Sequence, residues 1–178
     1  MKSICVFLGA NVGNNTLFSE SVILLGHEIA ERGARLVYGG SSLGMMGLLA
    51  TTVKERGGAV VGVITRHLLE QEKPLEGLDE LHLVDTLQER KNRMEQESDL
   101  FVVMPGGLGT LEEAFEIWNA IKIGVVKKPI GFLNTDGYFD KLFSFITDCK
   151  DSCFISEDNL SIPKISSDVK LLLKSLDQ

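Results

Sequence analysis

LFVVMPGGLGTLEE, residues 100–113, decides the fold of this chain. Its first five residues are continuously apolar, as in a strand covered on both faces rather than one wetted at alternate positions. Pro105 ends the run, and Gly106, Gly107 and Gly109 follow within four residues. Thr110 then opens a stretch with helical spacing of apolar residues, expected to be a helix over 111–123. A strand that runs through a glycine turn directly into a helix is the repeating unit of a parallel α/β sheet.

The same passage recurs upstream. Gly9-Ala10-Asn11-Val12-Gly13 follows a first apolar run, and Gly39-Gly40-Ser41-Ser42-Leu43-Gly44 follows a second. Strands are expected at 4–8, 35–38, 59–64, 81–84, 100–104 and 130–133. Helices are expected at 16–32, 45–56, 86–97, 111–123, 138–150 and 168–176. Strand and helix alternate with no linker, repeat or low-complexity tract. This predicts an open parallel sheet with helices on both faces, a three-layer α/β/α single domain over 1–178 joined by right-handed crossovers. Residues 65–79, with Pro74 and Gly77, form the least regular stretch, and 151–167 carries no functional reading.

Composition narrows the function classes. The chain has 178 residues, close to a prior of roughly 150 per domain. Hydrophobic residues make up 44% and charged residues 24%, which excludes long intrinsic disorder. No apolar run approaches the ~20 residues of a membrane-spanning helix, so no membrane partner is expected. The N-terminal stretch MKSICVFLGANVGNN reads as a buried first strand rather than a signal peptide. A net charge of −7 disfavours binding to a nucleic-acid polymer. The three cysteines, Cys5, Cys149 and Cys153, are odd in number and lack metal-like spacing, as expected of a reduced cytoplasmic protein.

In a parallel sheet all strand-to-helix loops lie on the carboxyl edge, where ligands bind at the point of strand-order reversal. Glycines there allow close backbone approach, and helix N-termini offer free N–H groups and partial positive charge, so a phosphate is the natural occupant. None of the loops spells a dinucleotide or triphosphate fingerprint.

Two groups of charged residues stand out. Thr110 with Glu113 three residues on reads locally as a capping box, while Glu113 could instead present its carboxylate to a ligand's sugar. Leu87-Gln88-Glu89-Arg90-Lys91-Asn92-Arg93 starts a helix with Asp85 or Thr86 as its N-cap. Arg90 and Arg93 share a face, with Lys91 rotated by about 100°. The cluster is either a solvated face paired with Glu89, Glu95 and Glu97, or an anion site aimed at the glycine-lined crevice. His27 and His82 read as structural or surface residues, and His67 is an outside candidate. No metal set or nucleophilic triad suggests itself, and no cofactor is expected.

Pro105 through Glu113 matches P-G-G-x-G-T-x-x-E, and Glu89-Arg90-Lys91 lies at the matching distance upstream. With Leu36-Val37-Tyr38-Gly39-Gly40 and Gly44-Met45-Met46-Gly47, the chain resembles the LONELY GUY family of cytokinin-activating nucleoside 5′-monophosphate phosphoribohydrolases, also labelled lysine decarboxylase-like. The resemblance implies a Rossmann-like fold, a homodimer and hydrolysis of the N-glycosidic bond of N6-modified AMP to free base and ribose 5-phosphate. It implies Arg90 and Glu113 as the catalytic pair. Glu72, Lys91, Gly106, Gly107, Gly109 and Thr110 would contact the substrate, with Gly9, Gly39 and Gly40 from the other two loops. Leu87-Gln88 stands where the family commonly has Met-His, and Gly9-Ala10-Asn11 where many members have Gly-Ser-Ser. The alternative is a non-catalytic nucleotide or molybdenum-cofactor carrier on the same fold, which would have no need for the paired Arg90 and Glu113.

Overall fold

The computed structural model describes residues 2–70 and 72–177. Seven parallel strands form one sheet in the order β4-β3-β2-β1-β5-β6-β7: β1 Ser3–Phe7, β2 Arg35–Tyr38, β3 Ala59–Thr65, β4 Glu80–Val84, β5 Leu100–Val103, β6 Ile130–Leu133 and β7 Lys164–Ser166. The fold is a Rossmann-like α/β/α sandwich. All six expected strands form within a residue of their expected bounds. The seventh, β7, falls in the stretch that had no reading; it pairs with β6 at the sheet edge.

Strand periodicity divides the core. Ile4, Val6, Leu36, Tyr38, Leu100 and Val102 face one side, under helices α1 (Thr16–Glu31), α2 (Gly44–Glu55) and α8 (Val169–Leu176). Cys5, Phe7, Val37, Phe101 and Val103 face the other, against α4 (Leu87–Gln96), α5 (Leu108–Lys122) and α6 (Asp140–Asp151). Each central strand is therefore apolar at successive positions because both of its faces are covered. Three shorter pieces are also described: α3 (Arg66–Leu69), inside the expected irregular stretch, a 3-10 turn at Thr135–Gly137, and α7 (Glu157–Leu160). No helix among the described residues is long and apolar enough to cross a membrane.

From β1 the chain steps outward through β2, β3 and β4, then returns through α4 to place β5 on the other flank of β1. Strand order reverses there, opening a crevice above the carboxyl ends of β1 and β5. The loops leaving these strands are tied by Gly9 N–H donating to the Pro105 carbonyl at 3.2 Å. At the opposite, amino edge, Asp177 accepts from Lys2 at 2.7 Å and from Arg32 at 2.8 Å.

One local expectation is corrected. The helix after the third glycine loop begins a turn early, at Leu108, with Gly107 as N-cap and no side-chain cap. Thr110 and Glu113 therefore lie inside the helix and form no capping box. The box forms instead on α4, where Thr86 Oγ1 accepts from Glu89 N–H at 3.1 Å and Glu89 Oε2 accepts from Thr86 N–H at 3.3 Å.

Candidate active site

The capping box fixes the start of α4, and Arg90 follows one residue later with its side chain directed across the sheet edge. Each of its three guanidinium nitrogens donates one hydrogen bond. Nε donates to the Val63 carbonyl at 2.9 Å, Nη2 to the Gly39 carbonyl at 3.3 Å, and Nη1 to Glu113 Oε1 at 3.0 Å. Glycine is required at position 39, because a Cβ there would collide with Arg90 Nη2 and lie 2.9 Å from Met46 Sδ.

Glu113 reaches the same point from α5. Both side chains are only 11% exposed, so water screens their charges weakly. Burial pushes the Glu113 carboxyl above its ordinary range; the Arg90 charge opposes this and the neighbouring Glu112 charge adds to it. Glu113 Oε2 has no hydrogen-bond partner among the described residues, which leaves it available to a ligand. Below the pair lies Cys5 on β1, fully buried, its thiol raised by burial and then by the Glu113 charge.

The pair forms part of the wall of a cavity of about 440 Å³, within the range of small-molecule sites. Of the expected residues, Arg90, Glu113, Glu72, Gly9 and Gly39 line it. So do Gly106, Gly107, Gly109 and Thr110 of the third glycine loop. Gly106 is held tightly: a Cβ there would strike Thr110 Oγ1 and approach Gly9 N to 2.8 Å.

Two expected residues do not line this cavity. Lys91 is turned onto α5, where its ammonium is bound by Glu112 and Glu116, and Gln88 joins the group by donating to Glu116 at 2.8 Å. Gly40 instead backs onto Ile64 and Val63 of β3. Arg93 is likewise drawn away, to Glu97 at 2.8 Å and towards His82. The three-cation anion site is therefore corrected to a single cavity-facing arginine. His67 lies on α3, beside the cavity-lining Leu68.

The sequence reading missed the apolar wall of Met45, Met46, Met94 and Leu68, and the rim residues Phe18 and Tyr138. Tyr138 follows β6 on the same carboxyl edge, so the loop rule that identified the glycines was the available signal. Phe18 and Tyr138 meet edge to face with ring centres 5.4 Å apart. Among the described residues, no three His, Cys, Asp or Glu side chains are grouped to hold a metal ion.

Solved structures with the same fold include the molybdenum cofactor binding protein of Rippkaea orientalis. It has a TM-score of 0.73 and 21% identity, covering 100% of this chain and 99% of that one. The molybdenum cofactor carrier protein of Chlamydomonas reinhardtii has a TM-score of 0.74 and 23% identity, covering 99% and 96%. Relatives in sequence are nearer. Probable cytokinin riboside 5′-monophosphate phosphoribohydrolase LOGL1 of Oryza sativa subsp. japonica is 39% identical over 98% of this chain and 78% of its own length. Cytokinin riboside 5′-monophosphate phosphoribohydrolase LOG7 of Arabidopsis thaliana is 39% identical over 99% and 82%. The family described as possible lysine decarboxylase matches residues 46–176, a span that holds both members of the Arg90–Glu113 pair. With that match and near-full-length relatives at this identity, the chain belongs to the LONELY GUY family of phosphoribohydrolases.

Proposed function

We propose that the protein hydrolyses the N-glycosidic bond of adenosine 5′-monophosphate bearing an N6 substituent, releasing the free base and ribose 5-phosphate. The observation that carries this reading is the buried Arg90–Glu113 pair in the cavity wall, beside the glycine turns after β1 and β5. Departure of the base builds positive charge on the ribose ring, as in the oxocarbenium-like transition state of glycosidases. A carboxylate beside the anomeric carbon stabilises that charge and can take a proton from attacking water. Glu113 fills this role through Oε2, which has no hydrogen-bond partner among the described residues.

Arg90 keeps its proton at neutral pH, so it acts by charge and position rather than as an acid. Anchored by two backbone carbonyls, it holds Glu113 in place and offsets negative charge near the phosphate. The N-terminal turn of α5 with Gly9, Gly106, Gly107, Gly109 and Thr110 receives the phosphate, and Glu72 contacts the substrate from the cavity wall. The methionine-rich wall suits a purine and an apolar N6 group, since thioethers fill irregular apolar space. We read the protein as a cytoplasmic homodimer, a state that sedimentation velocity tests.

The deciding assay incubates purified protein with AMP and with N6-isopentenyl-AMP and detects free base and ribose 5-phosphate. Release of both products from either nucleotide supports the reading; binding without release favours a carrier.

A further inference from the structure

We propose that Tyr138 is a positioning residue for the phosphate cradle: its hydroxyl fixes the Gly106–Gly107 peptide plane so that the Gly107 amide is presented to the substrate's phosphate. The inference rests on the reading of the glycine turn as the phosphate site. Tyr138 Oη donates to the Gly106 carbonyl at 2.7 Å, and both residues line the cavity. In a planar trans peptide the C=O and the following N–H point in opposite senses. Drawing the Gly106 oxygen towards Tyr138 therefore turns the Gly107 N–H away from it. Gly107 is the N-cap of α5, at the helix end where N–H groups lack intrahelical acceptors.

A turn with three glycines in four residues has little intrinsic preference for any one orientation of that peptide. Something outside the turn must select it. Gly106 is already wedged between Thr110 and Gly9 N, contacts that bear on its Cα and not on the peptide that follows. The tyrosine ring is itself braced, edge-on to Phe18 at 5.4 Å and to Phe139 at 5.0 Å. Phe18 is in turn held by Gly13, where a Cβ would approach its ring to 2.9 Å. One hydroxyl thus links the turn after β6 to the turn after β5.

The test compares wild type with Tyr138→Phe, which keeps the braced ring and removes only the hydroxyl, using calorimetric titration with ribose 5-phosphate and with adenosine. The expected result is a Kd for ribose 5-phosphate weaker by about tenfold, an unchanged Kd for adenosine and an unchanged melting temperature. Equal losses for both ligands, or none for ribose 5-phosphate, would overturn the proposal, as would a wild-type protein that binds no ribose 5-phosphate. Because the readout is binding and not turnover, a selective loss supports the positioning role even if AMP proves not to be hydrolysed, and that failure would then fall on the catalytic reading alone.

Discussion

Arg90 Nη1 and Glu113 Oε1 lie 3.0 Å apart, brought together from α4 and α5 across 22 intervening residues of chain and largely shielded from solvent. The other oxygen of the carboxylate has no hydrogen-bond partner among the described residues. An oxygen left over in this way is what the proposed catalytic role of Glu113 requires.

Glu113→Gln removes the charge while keeping the shape and a hydrogen bond to Arg90. Because Gly107 and not a side chain caps α5, no cap is lost. The variant should fold and bind AMP, with release of ribose 5-phosphate reduced about 100-fold or more. Near-wild-type turnover in a coupled sugar-phosphate assay would remove Glu113 from the mechanism.

Arg90→Lys keeps one positive charge but cannot reach Val63, Gly39 and Glu113 with a single planar fork. Two buried carbonyls lose their donor, so kcat should fall about 10- to 100-fold and stability by about 1–3 kcal/mol. Urea unfolding and steady-state kinetics on the same preparation measure the two effects.

Gly39→Ala and Gly107→Ala should part company. A methyl at position 39 displaces the Arg90 fork, whereas one at position 107 meets no atom within 4 Å. The first should lose activity by about tenfold or more through kcat, as expected for a misplaced charge-assisted bond. The second should keep its melting temperature and lose affinity for AMP, because Gly107 lines the cavity and its amide is assigned to the phosphate. The reverse pattern would place the phosphate elsewhere.

Lys91→Ala distinguishes two roles for that lysine. Direct phosphate contact, as the family resemblance implies, would raise KM for AMP. Clamping α4 to α5 through Glu112 and Glu116 would instead lower kcat and spare KM, because the clamp sets the approach of Arg90 to Glu113. The geometry favours the second outcome, with a loss of about tenfold and partial recovery in Lys91→Arg.

The pH profile carries a sign. Burial holds the Glu113 pKa above its ordinary value, and catalysis needs the ionised form, so activity should fall with decreasing pH along a limb lying above the usual carboxylate range. Stability runs the other way. The folded state retains a proton that the unfolded chain has lost, so the contribution of Glu113 is fully present below the ordinary pKa and lost as pH rises through the raised one. Relative to wild type, Glu113→Gln should therefore gain stability across that window, as followed by denaturant midpoints. An acid limb at the position of an exposed glutamate would contradict the burial argument.

Much of this architecture could be read from residue order alone. The continuously apolar strands locate themselves, because a parallel strand buried on both faces leaves a one-letter signature. Strand β7 does not, since Lys164 and Ile165 are exposed at the sheet edge and only three residues pair. The glycine turns correctly mark the cavity edge, but Gly107 and Gly109 disguise the first turn of α5 as loop. The Thr110–Glu113 spacing then suggests a cap that long-range pairing with Arg90 overrides. The opposite error occurs at Glu89, which reads as a solvated partner of the basic run and proves to complete the capping box with Thr86. Lys91 could not be placed from sequence, because its partners depend on how two crossover helices are spaced. Met45, Met94 and Tyr138 converge on the cavity from three separate elements, a relation that no local pattern encodes.

The ion pair between Lys2 and Asp177 bears on how the molecule can be handled. Lys2 and Asp177 lie at one corner, on the side of the sheet away from the cavity mouth. A bead, sensor chip or fluorescent label coupled at that corner would stand the molecule upright with its opening towards the bulk liquid. A short peptide joining Lys2 to Asp177 would close the backbone between them into a ring, and new ends could then be cut at the exposed turn around Gly124 and Val125.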